Sequence, residues 1–208
     1  MALTADQTGS LDRAARAALT SLPGIFSFGQ AREAGLSNRR IYWLRDQGLL
    51  EPLGRGTYRR ADTTIDADPD LYEIATRAPD ATICLTTALA RHDLTDAIPS
   101  TIDIALPRGR RRPPTTPPVS WHTFATETFH IGRHQLLLTE DTAIGLYSAE
   151  RSIIDAFRLR HQEGPELGNE ALRRWLRRRG SSPAELMGMA QAFPKAAPAL
   201  RAALEILL

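Results

Sequence analysis

The sequence predicts an α+β protein in two parts. An N-terminal winged helix-turn-helix is followed by a second domain with a small mixed or antiparallel sheet and C-terminal helices. Three observations predict this plan. Capping residues and closing glycines bracket short helical stretches before residue 48. Two extended stretches, residues 50–53 and 57–60, pinch around Gly54-Arg55-Gly56. Beyond a polar stretch, strand-like alternation appears from about residue 100, and helical periodicity takes over at Ser148.

Each element has its own justification. Ser10 can cap a helix running to about Leu22, with Leu11, Ala15, Ala18, Leu19 and Leu22 on one face. Pro23-Gly24 ends it. Gly29 to Ala34 reads as a short helix closed by Gly35, and Ser37 caps a third, Asn38 to Gln47, closed by Gly48. Three helices and a paired-strand wing form the winged helix-turn-helix plan. The stretch "ADTTIDADPD" is polar, with four aspartates and a proline, and reads as a linker. The expected organisation is therefore residues 1–62 as the winged domain, 63–70 as the linker and 71–208 as the second domain.

In the second domain "LYEIATRAP" and "CLTTALARHDL" read as helices, and "STIDIALP" as a strand. "RGRRRPPTTPP" is a basic, proline-rich loop. "VSWHTF", "ETFHI", "HQLLLT" and "AIGLYS" read as strands, with Gly132-Arg133 as a hairpin turn. Helices follow: one opened by Ser148, "PELGNEALRRWLRRRG", one begun by a Ser182–Glu185 capping box with Pro183 at its first position, and the C-terminal "PKAAPALRAALEILL".

The chemistry concentrates on the third helix and the wing. At about 100° per residue, Ile41, Leu44 and Gly48 fall on one face and Arg39, Tyr42, Trp43 and Asp46 on the other, with Asn38 nearby and Arg40 and Arg45 between. Asn and Arg can read base edges, Tyr and Trp can touch a thymine methyl or a sugar, and flanking arginines can hold phosphates. Ser37 sits where the helix N-terminus points amide donors at a phosphate. The wing-tip glycines permit positive φ and keep side chains away from a sugar-phosphate backbone, leaving Arg55 to enter a minor groove or meet a phosphate. Thr57 flanks this tip and joins the DNA-binding set. Tyr58 packs beneath the wing as core.

Charge placement matters more than total charge. The 208-residue chain carries a formal charge of only +2, with pI ≈ 9.0. Residues 29–60 hold seven arginines against three acids, a larger excess than the whole chain shows. Lys195 is the sole lysine among 26 basic residues, and arginine offers forked contacts to guanine and phosphate that lysine lacks. A GC-rich coding bias accounts for arginine abundance equally well. A second basic set, Arg108, Arg110, Arg111 and Arg112, is either a further nucleic-acid contact or a solvated loop. The arginines of "LRRWLRRRG" suit a helix C-terminus.

Signals for catalysis are weak. His92, His122, His130, His134 and His161 lack metal-ligand spacing, with His130 and His134 expected to flank a hairpin turn. Phosphate-binding and nucleophile-elbow motifs are missing, and Asp103 has no lysine near it in sequence of the kind a nuclease site uses. No catalytic residue, metal or cofactor is expected. Asp155 reads as a buried partner of a neighbouring arginine, and the lone Cys84 as a small buried hydrophobe. Without a signal peptide or a long apolar run, the protein is expected in the cytoplasm.

The stretch "AREAGLSNRRIYWLRDQGLLEPLGRGTYRR" resembles the N-terminal domain of the AbiEi family, antitoxins of type IV toxin-antitoxin, abortive-infection systems. "ICLTTALARHDLTDAIPSTIDIALPRGRRRP", "YSAERSIIDAFRLR" and "EALRRWLRRRG" resemble that family's C-terminal region. The resemblance implies a DNA-binding antitoxin. Its winged domain would repress its own operon at inverted repeats in double-stranded DNA, and its C-terminal domain would counter a nucleotidyltransferase-like toxin, with or without binding it. Two other readings stay open on the residues alone: a winged-helix regulator whose second domain senses a ligand or dimerises, and a DNA-processing nuclease.

Overall fold

The computed structural model describes residues 5–54, 56–62, 68–139 and 141–208, with residues 5–12 as backbone alone. Arg55 and residues 63–67 of the expected linker lie outside the described residues. The chain divides into two compact units, Met1–Arg77 with Leu137–Ala143, and Ala78–Leu136 with Ile144–Leu208.

In the first unit, helix α1 (Ala5–Thr20) leads into strand β1 (Ile25–Ser27), then helices α2 (Phe28–Glu33) and α3 (Asn38–Asp46). Strands β2 (Leu50–Gly54) and β3 (Thr57–Arg60) form the wing, and helix α4 (Pro69–Arg77) follows. Helix α1 begins ahead of Ser10, so Ser10 lies within it rather than at its cap. The sheet order is β1-β3-β2, antiparallel throughout, and β1 is a strand that the sequence reading did not separate from the next helix. Ser27 ends β1 and caps α2: its hydroxyl accepts from the Gln30 amide at 3.2 Å, and the Gln30 side chain accepts from the Ser27 amide at 2.7 Å. Ala15, Leu19, Leu22, Phe26, Ala31, Leu36, Ile41, Leu44, Leu50 and Tyr58 close the core. Helix α4 packs with this unit, where the Tyr72 hydroxyl donates to the Ile25 carbonyl at 2.8 Å.

The second unit joins a five-stranded sheet to helices. Strand β4 (Thr82–Ile83) precedes helix α5 (Leu85–Arg91), then strands β5 (Ile102–Pro107) and β6 (Val119–Phe124), helix α6 (Thr126–Phe129), and strands β7 (Arg133–Leu137) and β8 (Ala143–Tyr147). The order is β6-β5-β4-β8-β7, with β4 antiparallel to β5 and parallel to β8, and β5 parallel to β6. Helices α7 (Ala149–Arg158), α8 (Arg160–Glu163), α9 (Pro165–Leu176), α10 (Pro183–Ala190) and α11 (Ala197–Leu207) complete the unit. Ile153, Phe157, Leu172, Trp175, Leu186 and Leu200 lie in their shared core.

In the second unit, a stretch read as a strand is helical. "ETFHI" is not a strand: residues Thr126–Phe129 are helical, and Gly132, at φ +67°, turns the chain from α6 into β7 rather than closing a hairpin. His130 is therefore the C-cap of α6, not a hairpin flank. The reason is tertiary. Buried Phe129 meets the Tyr147 ring edge-on at 6.1 Å, and the Phe129 carbonyl accepts from the Tyr147 hydroxyl at 2.8 Å. Arg151 Nη1 donates to the Thr128 and Ile131 carbonyls at 2.7 and 2.6 Å, satisfying acceptors that the helix end leaves open.

Asp155 takes the role its sequence context suggested. Arg151 Nε donates to its Oδ2 at 2.9 Å, Arg158 Nε to its Oδ1 at 3.0 Å, and the Arg151 and Asp155 side chains are fully buried. Cys84 is fully buried, and that burial pushes its thiol well above the ordinary range.

Candidate nucleic-acid interface

Helix α3 is fixed at both ends. The Ser37 hydroxyl accepts from the Arg40 amide at 3.3 Å, and Gly48, at φ +70°, ends the turn after Asp46. Ile41 and Leu44 are fully buried and anchor the inner face. Ser37, Asn38, Arg39, Tyr42, Arg45 and Asp46 are exposed on the other side, and Arg40 is half-buried. Tyr42 is 47% exposed, one of the few large hydrophobic side chains left in solvent. Trp43 differs from its wheel position: it is half-buried against the core of its own unit. An indole large enough to bridge solvent and core rolls onto apolar neighbours.

The arginines divide by their partners. Arg32 Nη1 donates to Asn38 Oδ1 at 3.0 Å. Arg45 binds Asp46 at 2.8 Å, and its guanidinium lies over the Tyr42 ring, 5.2 Å from the centroid. Arg59 Nε donates to Glu51 Oε2 at 3.1 Å across the β2–β3 pair, where the two residues sit opposite each other. Arg60 binds Asp62 at 2.7 Å and the Leu22 carbonyl at 3.1 Å. Arg59 and Arg60 thus serve the wing's own structure. Arg39 and Arg40 have no ion-pair partner among the described residues.

The wing is tied to the helices. Strands β2 and β3 slip register between Pro52 and Gly54, and Gly56 takes φ +75°. The Phe28 amide donates to the Gly56 carbonyl at 2.6 Å, which docks the wing against the start of α2. Thr57 is 5% exposed and Tyr58 8%, and the Tyr58 and Phe26 rings stack at 6.2 Å. Burial raises the Tyr58 phenol above its ordinary range. With its side chain buried, Thr57 supports the wing from within.

In the second unit, Arg110 Nε binds Asp80 Oδ2 at 2.7 Å, and Arg112 donates to Thr123 Oγ1 at 2.9 Å. Arg108 and Arg111 remain exposed. Asp103 is buried: His122 Nε2 lies 3.1 Å from its Oδ1, and the Thr87 amide donates to its Oδ2 at 3.3 Å. Among the described residues no three His, Cys, Asp or Glu side chains gather as metal ligands, and no helix is long and apolar enough to cross a membrane.

The residue that sequence reasoning missed is Arg32. It sits on α2, six positions before Asn38, and no periodicity within one helix links the two. The Gly35 turn between the helices was the available signal.

Three helices, a strand-paired wing and an exposed face of Asn, Arg and Tyr on the third helix define the first unit as a winged helix-turn-helix. Residues 9–61 match the family described as transcriptional regulator, AbiEi antitoxin; the match covers the N-terminal stretch that carried the resemblance, and the C-terminal stretches lie outside it. A crystal structure of the RV2827C protein from Mycobacterium tuberculosis is similar at 19% identity, over 94% of this chain and 79% of that one, with a TM-score of 0.49. No curated protein matches the sequence significantly.

Proposed function

We propose that the protein is a double-stranded-DNA-binding antitoxin that represses its own operon at inverted repeats and counters a nucleotidyltransferase-like toxin. The observation that carries the DNA part is the outer face of α3. It leaves Asn38, Arg39, Arg40 and Tyr42 uncommitted to any acid, while Ile41 and Leu44 lock the helix to its core. In this reading residues 1–62 form the DNA-reading module. Asn38, Arg39 and Tyr42 meet base edges and thymine methyls in the major groove, with Trp43 at the rim of that face. Arg40, Arg45 and Arg55 hold phosphates, and Ser37 sets the helix N-terminus at the backbone. Thr57 steadies the wing. Arg108 and Arg111 are the members of the second basic set left to add phosphate contacts, since Arg110 and Arg112 already have partners.

The antitoxin part rests on the family description of residues 9–61. A two-plasmid experiment tests both parts. A reporter behind the protein's own upstream DNA should be silenced by the wild type and released by Arg39→Ala with Arg40→Ala. Co-expression should restore growth of cells poisoned by the neighbouring gene. A reporter left active by the wild type removes the repressor reading, and no growth rescue removes the antitoxin reading.

A further inference from the structure

We propose that Arg32 and Asn38 form one reading head whose unengaged groups are hydrogen-bond donors, and that it therefore selects guanine over adenine at one base pair. This rests on the DNA-reading role proposed for α3. Arg32 Nη1 donates to Asn38 Oδ1 at 3.0 Å. A guanidinium has no acceptor, so the amide atom facing it must be the oxygen. The Nδ2 amine, with its two hydrogens, is then the end of Asn38 left for another partner.

That assignment changes what Asn38 can read. An asparagine recognises adenine with both ends of its amide: Oδ1 accepts from N6 while Nδ2 donates to N7. Here Oδ1 is engaged by a cation, which disfavours a second donor approaching the same edge. Guanine presents two acceptors, O6 and N7, in the major groove. The remaining Arg32 N–H groups and the Asn38 amine match that pattern, and the pair's single acceptor atom, Oδ1, is already engaged by the guanidinium.

The pair is held before any DNA arrives. The Leu36 amide donates to the Ala31 carbonyl at 2.9 Å, and the Gly35 amide to the Arg32 carbonyl at 3.0 Å, with Gly35 at φ +85°. Leu36 is buried at 1% exposure, so the α2–α3 turn is pinned to the core. Arg32 has no acidic partner among the described residues, and both side chains are exposed. The pinned turn thus fixes the backbone positions from which two solvated side chains, on different helices, meet at 3.0 Å.

The test uses the full chain with double-stranded oligonucleotides. A random library gives the selected site, and duplexes carrying G, A, C or T at each selected position give the affinities. The wild type should favour guanine over adenine by about tenfold at one position. Asn38→Ala should weaken that preference, leaving the Arg32 donors alone to face guanine. Arg32→Ala should move it towards adenine, because Oδ1 is released for the two-ended contact. Melting temperatures of the variants show that both fold. Adenine favoured by the wild type at the Asn38-dependent position overturns the proposal. So does an unchanged base profile in Arg32→Ala, which leaves the DNA-reading role standing. No sequence selection by the wild type overturns both.

Discussion

Arg45 donates to one carboxylate oxygen of Asp46 through both Nε, at 3.1 Å, and Nη2, at 2.8 Å. The pair is exposed, and the carboxylate offsets the charge of an arginine on the proposed DNA face. Asp46→Asn should therefore strengthen binding to any duplex and steepen its salt dependence by about one phosphate contact. Anisotropy titrations from low to moderate salt measure both. Unchanged affinity and slope would mean that Arg45 does not meet DNA.

Arg39 and Arg55 should fail in different ways. Arg39→Ala should cost about 1–3 kcal/mol on the selected site and relax the preference at one base position. Arg55→Ala should weaken selected and scrambled duplexes alike and reduce the salt slope by about one. Parallel titrations of both variants on both duplexes separate the two behaviours. Identical losses on both duplexes would remove the division between base reading and phosphate holding.

Much of the local structure of this candidate surface was legible in the sequence because its causes are local. Ser37 caps α3 across three residues, and Ile41 and Leu44 repeat at helical spacing, so that helix and its buried face follow from the residues alone. The wing strands followed from the glycines and the two extended stretches around them. Contacts that cross elements were not legible. Glu51 neutralises Arg59 across two strands and Asp62 engages Arg60, so the local charge excess overstates what is free to meet DNA. Arg32 reaches Asn38 over a turn. Helix α6 looked like a strand because Thr and Phe favour strands, whereas its conformation depends on Arg151 and Tyr147, which are remote in sequence.

The buried pair in α7 makes a stability prediction. Arg151 is fully buried, with its Cζ 4.2 Å from the Tyr147 ring centroid and 4.4 Å from that of Phe193. Asp155→Ala would leave this cation without its carboxylate, at a cost of about 3–5 kcal/mol in chemical denaturation. The double change Arg151→Met with Asp155→Leu should cost less than Asp155→Ala, because the fully buried Arg151 charge is no longer stranded, although Arg158 and the Thr128 and Ile131 carbonyls lose their partners. A loss below about 1 kcal/mol for Asp155→Ala would contradict the pairing.

An ion pair at the protein surface predicts a pH effect. The hydrogen bond from Arg174 beside Asp96 holds that carboxyl below the usual aspartate range. A carboxyl whose folded value is depressed adds stability above its unfolded value, about 3.9, and loses it as pH falls through the folded value. Asp96→Asn should therefore flatten the decline of melting temperature below about pH 4. Both partners are solvated, so the change is small. An equally steep decline in the variant would show that the pair does not form in solution.

The most direct test of the DNA-binding account is fluorescence anisotropy with the protein's own upstream duplex against a scrambled duplex, across a salt series. Tight binding to the upstream duplex that weakens steeply with salt, and weaker binding to the scramble, is the expected result. Equal binding to both would reduce α3 and the wing to a non-selective basic surface. No binding to either would contradict the account.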